Sequence, residues 1–155
     1  MQDRIYLGVK MDYELIDATS QDKDFLIKNK RNIILEFSEN LSDDELKSID
    51  DYVNDEVNLN IHNTKIIKLG GKVIGSITTY SKDDGIFLDE IYIDMNYRNK
   101  GIGTKIIEYT LKNNKVVYLN VYKANKKAVS LYKKLGFIIT DETKTRYFMK
   151  FENKG

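Results

Sequence analysis

The sequence contains no cysteine and no proline, and it has a single histidine, His62. Without cysteine the chain can form neither a disulfide nor a thiolate metal site, and it has no cysteine nucleophile. One histidine cannot build a histidine-based metal site, so we expect a protein without a metal. The missing proline, together with abundant lysine, asparagine and isoleucine, is typical of an AT-rich bacterial genome.

Long apolar runs are missing as well. No segment could span a bilayer and no signal-peptide pattern opens the chain, so we expect a cytoplasmic protein with no membrane partner. The 155 residues suit a single domain, 1–155, with a sizeable core. Within this domain, residues 1–11 are predicted to be either an extra strand or a frayed leader.

Charge is unevenly distributed along the chain. The formal net charge of +1 does not indicate a nucleic-acid partner. Residues 1–62, however, carry 15 acidic and 7 basic side chains, whereas residues 63–155 carry 9 acidic and 18 basic ones. Two interpretations are open: two ordinary solvated faces, or a basic half that holds an anionic ligand and an acidic half that attracts a cationic one.

Hydrophobic periodicity predicts a mixed α/β fold. Helices are predicted at 21–37, 42–58, 102–113 and 124–136, and strands at 13–18, 64–69, 72–80, 86–94, 115–122, 137–140 and 145–151. The strands from 64 to 94 form an antiparallel meander, and the next helix crosses over to the strand at 115–122, which favours parallel pairing. We therefore expect a mostly antiparallel sheet with one parallel strand pair, flanked by about four helices.

Capping residues define several element ends. Ser20 is predicted to cap the first helix, and Ser42 with Glu45 has the spacing of a capping box for the second. Asn125 is the N-cap candidate of the last helix, and Gly136 is its stop. Tight turns are predicted at two dipeptides, Gly70-Gly71 and Asp141-Glu142.

The segment Arg98-Asn-Lys-Gly-Ile-Gly103 joins a predicted strand to a predicted helix. Such a turn presents unpaired backbone N–H groups at the positive end of a helix dipole, and two basic side chains flank it, so we predict a phosphate or pyrophosphate site. The alternative is a turn that packs the helix closely on the strand without a ligand. The segment is neither a P-loop, since no Gly-Lys-Ser/Thr follows, nor a dinucleotide fingerprint, since position 106 is Ile.

Two motifs together resemble the GNAT superfamily of N-acetyltransferases. One is Arg98-x-x-Gly-x-Gly between strand and helix, and the other is Asn120-x4-Asn125-x2-Ala128-x3-Tyr132-x3-Gly136-Phe137. The resemblance extends from about residue 12 over most of the chain, with Met95 where the family often has proline. It implies a GNAT-like fold, acetyl-CoA as co-substrate, a primary amine as acceptor and direct attack in a ternary complex; a homodimer is an expectation for the family.

The resemblance also implies a cofactor site. Backbone groups of Ile91 and Ile93 would pair with the pantetheine arm, Asn125 would lie near it, and Lys126 or Lys127 would reach a CoA phosphate. Tyr132 would point at the thioester sulfur. The pyrophosphate would be held by amides of seven consecutive residues: Arg98, Asn99, Lys100, Gly101, Ile102, Gly103 and Thr104.

Aminolysis of a thioester needs a neutral amine, a polarised carbonyl and a stabilised leaving thiolate. The Ile91 amide could polarise the carbonyl, and Tyr132 suits the leaving group because a tyrosine pKa of about 10 keeps it protonated; the alternative for Tyr132 is ordinary core packing. Asp89 and Glu90 are the candidate bases, acting directly or through water. Because adjacent strand residues point to opposite faces, we expect one of them to face the substrate, with a slight preference for Glu90. Each could instead be solvent-facing or ion-paired.

The acidic excess falls in the early helices, which shape the acceptor pocket in proteins of this family. We therefore expect a cationic small-molecule acceptor such as a polyamine, an aminoglycoside-like amine or a lysine-like group. The acidic residues of 42–58 could instead form a solvated helix face. Three other functions stay open: a protein N-terminal or lysine acetyltransferase, a non-catalytic CoA-binding module, and a toxin that acetylates charged transfer RNA, against which the charge argues.

Overall fold

An eight-stranded sheet forms the centre of the computed structural model, which describes residues 3–7 and 11–155. The strands are β1 (Asp3–Leu7), β2 (Met11–Asp17), β3 (Thr64–Leu69), β4 (Lys72–Lys82), β5 (Gly85–Ile93), β6 (Val116–Tyr122), β7 (Ile138–Glu142) and β8 (Arg146–Glu152). The helices in the described residues are α1 (Lys23–Glu36), α2 (Asp43–Asn60), α3 (Ile102–Lys112) and α4 (Lys126–Lys134), with single 3-10 turns at Ser20–Asp22, Ile61–Asn63 and Met95–Tyr97.

The sheet has the order β1-β2-β3-β4-β5-β6-β8-β7. All described neighbours are antiparallel except β5 and β6, which are parallel and joined through α3. The predicted mixed sheet with one parallel pair and about four helices is therefore confirmed. Of the first eleven residues, 3–7 form a strand antiparallel to β2; residues 1–2 and 8–10, on which the leader alternative also falls, lie outside the described residues.

Helices pack on both faces of the sheet, because successive strand residues point to opposite sides. On β3, Ile66 packs with Leu26 of α1 and Val53 of α2, whereas Ile67 belongs to the larger core on the other face. That larger core contains four buried apolar residues of α3: Ile102, Ile106, Ile107 and Leu111.

Most predicted caps and turns are confirmed. Ser42 and Glu45 form a reciprocal capping box, with hydrogen bonds of 3.1 Å in both directions. Asn125 Oδ1 accepts from the Ala128 amide at 3.2 Å, and Gly136 ends the last helix with φ of +107°. The two glycines of the β3–β4 turn have φ of +57° and +82°, as a primed hairpin turn requires.

Two local predictions are wrong. Thr19, not Ser20, caps the first helical segment, because Thr19 can exchange hydrogen bonds with Asp22 in a capping box that starts a 3-10 turn ahead of α1. The closing turn does not lie at Asp141-Glu142, since β7 continues through Glu142. The chain turns at 143–145 instead, where the Thr143 hydroxyl accepts from the Arg146 amide at 3.0 Å.

No helix in the described ranges is both long enough and apolar enough to cross a membrane.

Candidate active site

A cavity opens where the parallel strands β5 and β6 separate. The two strands pair over three residues each, ending at Leu88 opposite Leu119. Beyond that point β5 stays paired with β4 and β6 stays paired with β8. The resulting cavity has a volume of about 420 Å³ and is walled by α1, α2, β5, β6, α4 and the start of β8.

A bulge on β5 determines which side chains face this cavity. Glu90 lies opposite Thr78 and Leu88 lies opposite Thr79, so Asp89 is an extra residue in the strand. Asp89 and Glu90 both line the cavity. The expectation that one of them must point to the opposite face is therefore wrong, because the bulge interrupts the alternation.

The two carboxylates share one cation from α1. Lys30 Nζ lies 3.3 Å from Glu90 Oε2 and 3.9 Å from Asp89 Oδ2, and the three side chains are 15%, 19% and 25% exposed, respectively. Burial raises the pKa of Glu90, and the attraction of Lys30 opposes that rise. Desolvation lowers the pKa of Lys30, but the two carboxylates together outweigh it and leave that pKa raised. The site thus holds a charged lysine beside a carboxylate with increased proton affinity.

Tyr132 contributes a hydroxyl from α4. Its ring packs against Phe137 with centroids 5.4 Å apart, and burial raises its pKa to about 12. Tyr132 lines the cavity, and its hydroxyl has no hydrogen-bond partner among the described residues. At neutral pH this side chain is therefore a protonated donor without an acceptor in the protein.

The N-terminus of α3 has the geometry of an anion site. Gly101 is the N-cap and adopts a left-handed conformation, with φ of +79°, and Asn99 before it has φ of +61°. Since glycine has no side chain, no side chain within the described residues caps the first amides of this helix, and its first turn has no acidic residue. A Cβ at Gly101 would meet nothing within 4 Å. The backbone is therefore open at Gly101, just before the uncapped first amides of this helix.

The basic side chains near this helix end have different partners. Arg98 donates from Nε to the Ile93 carbonyl at 2.8 Å, and its own amide donates to the Met95 carbonyl at 3.3 Å. It therefore ties the loop to the end of β5, and the amides available to an anion begin after it. Lys126 and Lys127 are both exposed. Lys127 Nζ donates to Asn99 Oδ1 and so reaches from α4 to the loop ahead of α3.

Of the remaining predicted cofactor residues, two line the same opening and Ile93 does not. Ile91 and Asn125 line the cavity, and Asn125 keeps its Nδ2 group available because its Oδ1 caps α4. The Ile93 carbonyl is already an acceptor for Arg98. The structure thus places the predicted catalytic residues in one cavity and the loop of α3 at the far end of β5.

Six polar residues that line the cavity had no predicted role: Lys30, Ser48, Tyr52, Asn120, Tyr122 and Arg146. Asn120 Oδ1 is buried without a hydrogen-bond partner in the described part of the chain. A signal for Lys30 was present, because it lies at helical spacing with Ile33, Ile34 and Phe37, which also line the cavity. A lysine on an apolar stripe needs a buried partner. No comparable local pattern indicates Arg146.

The acidic residues of α2 do not form the cavity wall. Seven acidic residues of this helix were predicted to attract a cation: Asp43, Asp44, Glu45, Asp50, Asp51, Asp55 and Glu56. All are exposed except the half-buried Glu56, and none of them lines the main cavity. Glu56 instead lines a small neighbouring cavity of about 20 Å³, together with Lys30, Asp89 and Glu90. The structure favours the solvated-face interpretation of this helix. Among the described residues, no cluster of three or more metal-ligating side chains is found.

Comparison with known proteins gives consistent sequence and fold similarities. The profile of the acetyltransferase (GNAT) family matches residues 30–137. A thialysine N-epsilon-acetyltransferase of Mus musculus is 39% identical over 75 residues, covering 45% of this chain and 43% of that protein. A spermine/spermidine N(1)-acetyltransferase of Bacillus subtilis is 28% identical over 83 residues, covering 48% of this chain and 55% of that protein. A peptidyl-lysine N-acetyltransferase of Salmonella typhimurium is 38% identical over 56 residues, covering 36% of this chain and 39% of that protein.

The matches to these curated relatives therefore cover between 39% and 55% of the relatives' own lengths. Solved structures match more completely at lower identity. The PaiA N-acetyltransferase of Thermoplasma acidophilum, crystallised with coenzyme A, superposes with a TM-score of 0.72 at 19% identity, covering 94% of this chain and 100% of that one. This similarity demonstrates a shared fold.

Proposed function

Because the chain belongs to the acetyltransferase (GNAT) family, we propose that it transfers an acetyl group from acetyl-CoA to a primary amine by direct attack in a ternary complex. One observation carries the proposal. Tyr132 and the two carboxylates, Asp89 and Glu90, line a single cavity at the point where β5 and β6 separate. A proton donor without a partner and a proton acceptor of raised pKa thus face the same space, as thioester aminolysis requires.

Acetyl-CoA, the acetyl donor, would be bound by backbone amides more than by charged side chains. Acetyl-CoA supplies the activated acetyl group as a thioester. The uncapped amides of Ile102, Gly103 and Thr104 suit its pyrophosphate, with Lys127 close by across the loop. The free edge of β5 around Ile91 would accept the pantetheine arm as an added strand.

The carboxylates would take the proton of the incoming ammonium, whose pKa is about 10.4 for a lysine-like group. Burial raises the pKa of Glu90, which narrows the gap between base and ammonium. Lys30 keeps the pair from becoming two uncompensated negative charges in one cavity. Asp89 or an intervening water would complete the transfer.

Tyr132 would stabilise the departing thiolate. Its pKa of about 12 keeps the hydroxyl protonated throughout the neutral range. Holding both reactants in the cavity supplies much of the remaining rate, on the order of 7–11 kcal/mol where geometry is ideal.

We propose a cationic small molecule as acceptor. The carboxylates of the cavity support this, and so do the substrates for which two relatives are named, spermine/spermidine and thialysine. The peptidyl-lysine relative keeps protein acetylation as the alternative, which predicts turnover of lysine peptides and little turnover of free amines.

The test is a thiol-release assay with acetyl-CoA and a panel of polyamines, aminoglycosides, amino acids and peptides. We expect release with cationic amines, and we expect Tyr132→Phe to lower kcat by about 100-fold while KM changes little. Tyr109→Phe, in α3 and outside the cavity, is the matched control. Binding of acetyl-CoA without thiol release on any amine would support a non-catalytic CoA-binding module. Thiol release that Tyr132→Phe does not change would mean that another group acts as the acid.

A further inference from the structure

We propose that Arg146 forms a carboxylate subsite in the acceptor cavity, so that the preferred acceptor is an amino acid whose reacting amine lies several bonds from its carboxylate. This inference rests on the proposed acetyl transfer and narrows its acceptor class. Such an acceptor differs from a polyamine because it carries a negative group at one end.

Arg146 is an exposed residue whose guanidinium contacts the ring and hydroxyl of Tyr122, and it has no acidic partner among the described residues. It begins β8 opposite Tyr122, the last residue of β6. Its Nη2 donates to the Tyr122 hydroxyl at 2.9 Å, and its guanidinium carbon lies 4.6 Å from the centre of that ring. Phe37 stacks on Tyr122 with centroids 5.6 Å apart. Glu142 on the neighbouring strand pairs with Lys123 at 2.9 Å instead.

Within the described residues, Arg146 therefore makes no ion pair, and one hydrogen bond uses one of its five N–H donors. A guanidinium whose orientation is fixed by an aromatic ring is well suited to bind a carboxylate through two parallel hydrogen bonds. Its position on the cavity wall makes a ligand carboxylate the natural partner.

The charges of the cavity wall balance. The charged residues among those lining it are two cations, Lys30 and Arg146, and two anions, Asp89 and Glu90. Lys30 lies against both carboxylates, which leaves one negative charge at the β5 end and one positive charge at the β8 end. A polyamine would bring a positive charge next to Arg146, whereas an amino acid with a distant amine matches both ends.

Two further side chains connect these ends. Tyr52 of α2 lines the same cavity as Lys30 and Arg146, so the two ends face one space. Asn120, on the strand between them, has a buried Oδ1 without a donor in the described chain. An N–H group of an acceptor that lies across β6 would satisfy it.

The strand order gives a lower limit for the length of the acceptor. β5 and β8 flank β6, and β5 separates from β6 beyond Leu88, so the two ends lie at least two strand spacings apart, about 10 Å. An α-amine lies too close to its own carboxylate to reach both ends. An amine about five bonds from the α-carbon, with hydrogen bonds of about 3 Å at each end, spans the distance.

The experiment measures equilibrium binding by calorimetry to the protein saturated with CoA. The ligands are L-lysine, L-lysinamide and 1,5-diaminopentane, which is lysine without its carboxylate. We expect L-lysine to bind at least about tenfold more tightly than either analogue, since both analogues lack the carboxylate that pairs with the guanidinium. Arg146→Gln should reduce that preference to about threefold or less, and Arg146→Lys should retain part of it.

Arg31→Gln is the matched control, because Arg31 is an exposed arginine that pairs with Asp50 at 2.6 Å outside the cavity. It should keep the full preference for L-lysine. Equal binding of the three ligands, no binding of L-lysine, or a preference that survives Arg146→Gln would overturn the subsite. Binding of 1,5-diaminopentane to the Arg146 variants verifies that they are folded.

Thiol release, measured separately, distinguishes the two proposals. If 1,5-diaminopentane is acetylated faster than L-lysine and binds as tightly, the result supports the acetyltransferase function and contradicts the carboxylate subsite. If L-lysine binds with the Arg146-dependent preference but no amine releases thiol, the subsite stands and the acetyl-transfer proposal fails.

Discussion

Replacing Lys30 with methionine removes an ammonium group that lies 3.3 Å from Glu90 and 3.9 Å from Asp89. The side chain keeps a similar length and apolar stem, so the main change is the loss of one positive charge. Two like charges then share a partly buried site without compensation. We expect the pKa of Glu90, already raised by burial, to rise further.

The size of this rise follows from the distance and the burial. A charge pair at 3.3 Å is worth about 1 kcal/mol in bulk water and about 5 kcal/mol at an effective dielectric of about 20. The side chains are between 15% and 25% exposed, so the interaction lies between these limits. Since one pKa unit corresponds to about 1.4 kcal/mol, we expect an increase of about one to three units.

The assay is a pH titration of the Glu90 carboxyl carbon by NMR in the wild-type protein and in Lys30→Met. Lys30→Arg keeps the charge and should leave the titration close to that of the wild type. Lys28→Met, on the exposed side of α1, is the matched control and should have no effect. If a carboxylate is the base, the acidic limb of kcat/KM against pH should move upward with the Glu90 pKa.

Stability gives an independent readout with a defined sign. A carboxyl whose folded-state pKa lies above its unfolded value contributes stability at low pH that is lost as pH rises through the folded pKa. Because Lys30→Met enlarges that difference, its melting temperature should fall more steeply than that of the wild type as the pH rises above the ordinary glutamate pKa of about 4.3. An unchanged Glu90 titration in a folded Lys30→Met protein would refute the electrostatic reasoning.

Three further predictions follow from local geometry. Tyr132 has a pKa of about 12, so kcat should not fall between about pH 8 and about pH 10 through loss of its proton; a fall in that range that Tyr132→Phe removes would contradict this. Gly101→Ala forces a residue with a side chain into φ of +79°, so it should cost about 1–2 kcal/mol of stability and weaken CoA binding measured by calorimetry. Gly70→Ala, at φ of +57°, should show the strain alone, with unchanged CoA affinity. Ser42→Ala breaks the capping box of α2 and should lower stability by about 1 kcal/mol and the melting temperature by about 2–4 °C; an unchanged melting temperature would mean that water replaces the cap.

The sequence by itself determined those features that depend on neighbouring residues. The capping box of α2, the glycine turn between β3 and β4, and the left-handed Gly101 ahead of α3 involve hydrogen bonds or backbone angles within a few residues. Periodicity predicted the buried face of α3, and the crossover through α3 predicted the parallel pair. Even at this range, the choice between Thr19 and Ser20 as a cap was missed, because adjacent hydroxyl residues differ little in capping energy.

The composition of the cavity was decided by the tertiary structure. The bulge at Asp89 is a shift in register between β4 and β5, so it depends on the pairing of two strands. The pattern of β5 alone predicts that side chains alternate through that position. Lys30 meets Glu90 across 60 residues of sequence, and Arg146 meets Tyr122 across 24. Such contacts form when the sheet and its helices assemble, so no local pattern encodes them. The sequence thus predicted the family, whereas the balance of charges in the cavity arises from residues brought together by the fold.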